Sequence, residues 1–132
     1  MIPNFRAWDK ENKIMIDVDI LNWNNGEVDF IGDGITFILK ANDIELMQST
    51  GLTDKNGKEI FEGDIIAINL EGIETPITAK VFQNRKIGIL MFHAFEDYED
   101  VPMVELLEGN PVEFAIIGNI WEDPELAEVS HD

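Results

Sequence analysis

Apolar and polar residues alternate with a period of two along much of the chain, and glycine-containing turns interrupt the alternation. Ile14, Ile16, Val18 and Ile20 alternate with Met15, Asp17, Asp19 and Leu21, which gives a strand with one apolar and one partly acidic face. Asn25-Gly26 suits a two-residue hairpin loop, because both residues tolerate the positive φ of a type I′ turn. That register sets Trp23 opposite Val28 and Leu21 opposite Phe30. The inward positions then change from even to odd numbers, so a bulge or break is predicted near Ile20 to Leu21. Gly32-Asp33-Gly34 predicts the next turn, and Ile35-Thr36-Phe37-Ile38-Leu39 the strand that follows.

Asp54-Lys55-Asn56-Gly57-Lys58 allows two hairpins, and charge separates them. A two-residue Asn56-Gly57 loop sets Lys55 against Lys58 and Asp54 against Glu59, two like-charge pairs. A three-residue loop with Gly57 in the left-handed conformation pairs Asp54 with Lys58 and Leu52 with Ile60, and is the arrangement expected. Asp64 to Leu70, Ile77 to Phe82, Ile87 to Phe92 and Val112 to Trp121 read as four further strands. Short helical turns are predicted at Asp123-Pro124-Glu125-Leu126-Ala127-Glu128 and from Met103 onward, after Pro102. Many short strands separated by turns predict an all-β fold, a small barrel or pseudo-barrel with one or two short helices. No internal repeat or linker divides residues 1–132, which read as a single domain.

Composition narrows what such a domain does. The 132 residues include 9 Lys plus Arg and 27 Asp plus Glu, a net charge of 9 − 27 = −18, yet 45% are hydrophobic, enough to fill a core. All nine basic residues precede position 87; residues 87–132 carry twelve acids and no Lys or Arg. Direct binding to nucleic-acid phosphates is thereby excluded on electrostatic grounds. The chain has no cysteine, so it offers no thiol nucleophile, disulfide or thiolate metal site, and its two histidines, His93 and His131, spell out no cluster. No segment has the roughly 18 apolar residues of a membrane span, and Met1-Ile2-Pro3-Asn4-Phe5-Arg6 does not resemble a signal peptide. The expected compartment is the cytoplasm.

Reactive motifs are few. Gly51 to Glu59 imitates a phosphate loop but has five residues between its glycines and Glu59 where Ser or Thr would bind magnesium. The same segment fails as a calcium loop, because Lys58 occupies a ligand position. Ser49 and Ser130, the only serines, lie outside any Gly-x-Ser-x-Gly elbow, and His93 follows Leu90-Met91-Phe92 as a strand-end residue. Glu96-Asp97-Tyr98-Glu99-Asp100 could hold a hard cation but lacks spaced ligands and a central glycine, so it reads as a solvated loop. Phe5-Arg6-Ala7-Trp8-Asp9 has two readings. In a strand Arg6 and Trp8 share a face, which makes either an aromatic and cationic binding patch or a first strand whose arginine ties down nearby carboxylates, with Asp9 pairing with it or starting the next turn.

Three blocks taken together, Phe5 to Asp9, Leu46 to Asp64 and Ile116 to Leu126, resemble in order and spacing the YopX family of small phage and prophage proteins. Ser49 stands where family members often have an aromatic residue, and residues 72–111 fall where they vary. The resemblance implies an SH3-like barrel or pseudo-barrel, a phage or prophage origin in a low-GC Gram-positive bacterium, and a capacity for self-association. It implies no established enzymatic activity and carries over no catalytic residues; no cofactor is expected. The expectation is a non-enzymatic protein-interaction module that binds a protein partner or itself, with Arg6, Trp8, Trp23, Tyr98 and Trp121 as candidate partner surface. A DNA mimic that occupies a basic surface of a host protein is the alternative. A metal-dependent hydrolase built on Glu96 to Asp100 is the third reading weighed.

Overall fold

The computed structural model describes residues 4–24, 27–32, 38–108 and 111–127. The fold is mostly β, built of curled antiparallel sheets, one of them a half-barrel. The chain forms two compact units, Met1–Ser49 and Thr50–Asp132.

In the first unit β1 (Phe5–Asp9) lies between β2 (Ile14–Val18) and the start of β6 (Ile44–Thr53), both antiparallel to it. Ala7 stands opposite Ile16 on one side and Leu46 on the other. Small Ala7 and Ile44 are the buried centre, with Ile16, Val18, Leu39 and Leu46 packed around them. Asp9 starts the β1–β2 turn: its Oδ1 accepts the Glu11 and Asn12 amides at 3.0 and 3.2 Å, and its Oδ2 accepts Asn12 Nδ2 at 2.8 Å.

A second sheet, of three strands, follows in the order β3 (Ile20–Asn24), β4 (Glu27–Gly32), β5 (Ile38–Lys40). The predicted break falls at Asp19, between β2 and β3, one residue earlier than expected. Trp23 stands opposite Val28 as its register requires, but Leu21 faces Ile31, not Phe30. The pairing shifts between Asn22 and Trp23, leaving Asp29 as an extra residue of β4, so part of the parity change is absorbed there as a bulge. The expected turns at Asn25-Gly26 and Gly32-Asp33-Gly34, and most of the strand from Ile35, lie outside the described residues.

The second unit holds the end of β6, then β7 (Glu59–Phe61), β8 (Asp64–Leu70), β9 (Ile77–Asn84), β10 (Ile89–Ala94), β11 (Glu99–Pro102), a single helical turn α1 (Val104–Leu107) and β12 (Val112–Asn119). A 3₁₀ turn, Pro124–Ala127, follows. Five strands form one sheet in the order β11-β10-β9-β8-β12. Alternate residues of each strand face inward: Ile66 and Ile68 of β8, Ala79 and Val81 of β9, Phe92 and Ala94 of β10 and Phe114 of β12 form the core with Ile60 and Met103. Each isoleucine removed this fully from water stabilises the fold by about 1.5–3 kcal/mol.

The hairpin between β6 and β7 takes the three-residue loop. Asp54 N donates to Lys58 O at 2.8 Å, Gly57 N to Asp54 O at 2.9 Å, and Gly57 has φ +79°. This turn also lies against the exposed side of β12, where Lys55 N donates to Phe114 O. Two expectations shift. β10 starts at Ile89, not Ile87, because Arg85 to Gly88 form the turn that Gly88 N closes on Asn84 O at 2.7 Å. The acidic run is not all loop, since Glu99 and Asp100 open β11 and pair with Ala94 and His93.

Candidate functional site

The alternation that sends Phe92 and Ala94 of β10 into the core turns His93 outward. Its cross-strand neighbours are Asp100 on β11 and Lys80 on β9, so an acid, an imidazole and an amine form one row across three strands. His93 Nδ1 lies 2.7 Å from Asp100 Oδ1. Lys80 Nζ lies 5.8 Å from the centre of the Phe82 ring, within cation–π range. The His93 ring meets Phe95 edge to face at 5.7 Å and Tyr98 at 6.2 Å. Tyr98 closes the β10–β11 turn at φ +54°, a left-handed conformation uncommon outside glycine, and is 61% exposed. Around it Glu96, Asp97, Glu99 and Asp100 are all exposed.

Chemically, this row holds and orients. The His93–Asp100 pair fixes the imidazole and braces the turn that presents Tyr98. The acidic run does not converge as a cation site would: among the described residues no three His, Asp or Glu side chains are gathered as metal ligands. The reason is local, since β11 sends Glu99 and Asp100 to opposite faces.

The five residues expected as partner surface lie on different elements, three in the first unit and two in the second. Arg6 is half-buried on β1, across from Asp17 on β2, where it can offset that carboxylate. Trp8 is only 9% exposed and serves packing. Trp23 lies on β3, but its side chain is outside the described residues. Trp121 is half-buried just past β12, at the opposite end of the sheet order from β11 and Tyr98. Only Tyr98 is largely exposed among the four whose side chains are described. His93, Asp100 and Lys80 were not singled out from sequence as a group. The spacing of His93 and Asp100 across a turn was the available signal, and it becomes readable only once β11 is recognised as a strand.

The buried acids have structural duties. Asp54 Oδ1 accepts the Asn56 and Lys58 amides, both at 2.9 Å, and its Oδ2 accepts Ile116 N at 3.3 Å. The Lys58 amide is the main cause that holds its carboxyl below the ordinary carboxylate range, with the other amides and the Lys58 charge adding to it against the effect of burial. Asp64 Oδ2 accepts Phe61 N at 2.8 Å. Asn119 Oδ1 accepts the Trp121 and Glu122 amides, while Asp123 Oδ2 accepts Asn119 N. The sequence blocks 46–64 and 116–126 are therefore built around turns whose side chains satisfy backbone donors.

The model of the YopX protein family matches residues 4–128, taking in all of these turns. The chain belongs to the YopX family. A solved structure of protein EF1440 from Enterococcus faecalis is similar to this YopX-family chain, with 27% identity, a TM-score of 0.59, and coverage of 97% of this chain and 99% of that one. The yopX protein from Bacillus subtilis shares the fold at 18% identity, with a TM-score of 0.63 over 95% of this chain and 98% of that one. A search of curated proteins finds no match. Among the described residues no helix is long and apolar enough to cross a membrane.

Proposed function

We propose that this YopX-family protein is a non-enzymatic interaction module, encoded by a phage or prophage and acting in the cytoplasm, whose β10–β11 turn binds a basic surface of a protein partner. One observation carries the reading: Tyr98 is 61% exposed in the midst of the exposed Glu96, Asp97, Glu99 and Asp100. An aromatic anchor within a charged rim is the arrangement in which binding energy concentrates, and residues 87–132 contribute no cation to compete with the partner's. The His93–Asp100 bond and the edge contact of His93 on Tyr98 hold the anchor before binding, which lowers the ordering cost. The phage origin follows from the family resemblance, and the absence of cysteine is consistent with a reducing compartment.

A DNA mimic has weaker support. Carboxylates on one face of a strand recur every ~6.7 Å, against one duplex charge per ~1.7 Å of axis, and β11 divides Glu99 and Asp100 between two faces.

The test is affinity capture from the host with wild-type protein, followed by titration of the recovered partner against Tyr98→Ala and a Glu96→Gln/Asp97→Gln/Glu99→Gln variant. Tyr98→Ala should weaken binding about 30-fold, as expected of an anchor worth ~2 kcal/mol. The charge variant should weaken it most at low salt. A partner that binds both variants like wild type would remove this surface from the function.

A further inference from the structure

Where β8 ends and β12 begins, the five-stranded sheet carries a cleft of about 450 Å³, within the size range of small-ligand sites. Asn69, Leu70 and Glu71 line it from the end of β8, and Pro111, Val112 and Glu113 from the start of β12. The register sets Leu70 opposite Val112 and Asn69 opposite Glu113. Leu70 and Val112 pack against the core, so alternation turns Asn69 and Glu113 together to the other face. Glu71 follows in the turn that Ile73 N closes on Leu70 O at 3.1 Å, which ends the strand and leaves the glutamate exposed. Pro111 has no N–H to offer the ladder, and pairing begins only after it.

The lining is chemically mixed. Two exposed carboxylates and the Asn69 amide supply its polar groups, and Leu70, Pro111 and Val112 its hydrocarbon. Among the described residues none of the three polar side chains has a hydrogen-bond or ion-pair partner. Two carboxylates on a chain of net charge −18 select a cation and repel an anion. A calcium or magnesium ion suits the cleft badly, because it takes six or more oxygen ligands, whereas half the lining is apolar. Nor do the described acids gather in threes as metal ligands. A single ammonium would leave one carboxylate uncompensated. Two cationic heads joined by a hydrocarbon chain match both parts of the lining.

We infer that this cleft binds a linear aliphatic diamine or polyamine, with one ammonium on Glu71, another on Glu113 and the methylene chain against the apolar lining. Each ammonium brings three donors, which the carboxylate oxygens and the Asn69 carbonyl accept. The methylenes leave water on binding, a gain that a compact inorganic cation does not have. The inference is independent of the Tyr98 surface, because β12 and β11 form opposite edges of the sheet.

The test is isothermal titration calorimetry of the whole protein at neutral pH and physiological salt. The probes are 1,4-diaminobutane and spermidine, with n-butylamine as a one-charge amine and magnesium chloride as a compact dication. One-to-one binding of the di- or polyamine is expected, with butylamine at least about tenfold weaker and magnesium unable to compete at equal concentration. Glu71→Gln and Glu113→Gln, both at exposed positions, should each weaken binding about tenfold, and the combined variant should abolish it, with thermal melts reporting that the fold is kept. Glu96→Gln/Asp97→Gln/Glu99→Gln removes more charge from the same unit and should bind like wild type. Attraction to the net charge alone makes the opposite forecast, a loss that follows the number of charges removed wherever they lie. Failure of both amines to bind, equal competition by magnesium, or a Glu96/Asp97/Glu99 variant weakened as much as the Glu71/Glu113 one would each overturn the inference.

Discussion

Gly118 has no room for even one methyl group. A Cβ placed there would lie 2.6 Å from Asp123 Oδ2 and 2.8 Å from Leu126 Cδ1. Asp123 cannot swing aside freely, because the same oxygen accepts Asn119 N at 3.2 Å and closes the turn after β12. Gly118→Ala is therefore expected to cost about 2–3 kcal/mol in urea denaturation, the range of an overpacked site; wild-type stability would show that the turn yields. Asp54 makes a second prediction at this scale. Its carboxyl is held below the ordinary range, chiefly by the Lys58 amide, as that of Asp9 is held down chiefly by the Asn12 side chain. A carboxyl with a depressed folded pKa stabilises above its unfolded value, about 3.9, and the contribution is lost as pH falls through the lower folded value. Stability should therefore drop below about pH 4, and the drop should be shallower in Asp54→Asn, measured by thermal melts across acid pH. An identical profile in that variant would assign the acid loss to other groups. The sequence showed Asn56-Gly57 as turn-forming and left the duties of Asp54 and Gly118 unread, because Ile116 is 62 residues from Asp54 and only folding brings them together.

Strands bring their own hazard, an unpaired edge, and β11 shows how this one is guarded. Among the described strands none pairs with its outer side. The bond from Met103 N to Leu90 O fixes the alternation, so Val101 and Glu99 bond toward β10 while Asp100 and Pro102 face outward. Proline has no N–H, which leaves Asp100 as the one outward donor in the strand, and its carboxylate repels an approaching acidic edge. An Asp100→Thr/Pro102→Thr variant should associate through this edge and scatter light at concentrations where wild type does not; scattering equal to wild type would mean the edge is closed by another device. Element positions were largely legible beforehand. Asp64 to Leu70 matches β8 residue for residue, because Ile65 to Ile68 is a short continuous apolar run and the ends are marked by Gly63 and the turn at Glu71-Gly72. Apolar Ile87 extends the expected strand two residues too far, because the turn from Arg85 to Gly88 takes it. The composition of the acidic run favours a solvated loop, whereas pairing with Ala94 and His93 makes strand of its last two residues.

For the whole molecule, charge is the term that conditions set. Twenty-seven acids share nine bases; Lys10 pairs with Glu45 at 3.3 Å and Arg85 with Glu62 at 3.0 Å, and His93 Nδ1 lies 2.7 Å from Asp100. Most of the negative charge thus has no cation of its own to offset it. Raising NaCl from low to physiological concentration should lift Tm by a few degrees through screening with a Debye length of about 8 Å; a Tm that stays flat or falls would show that the acids are compensated within the fold. The sequence by itself determined the β class, the three-residue turn at Asp54 to Lys58, the acidic last third and the family blocks, because alternation, turn dihedral angles and net charge depend on neighbours along the chain. Tertiary structure alone decided that Trp8 is buried while Tyr98 stands out, that His93, Asp100 and Lys80 share a row, and that Asp29 takes up part of the parity change. Each of these depends on which strand lies alongside which, and that register is settled by burying the core as a whole, not by any short stretch of residues.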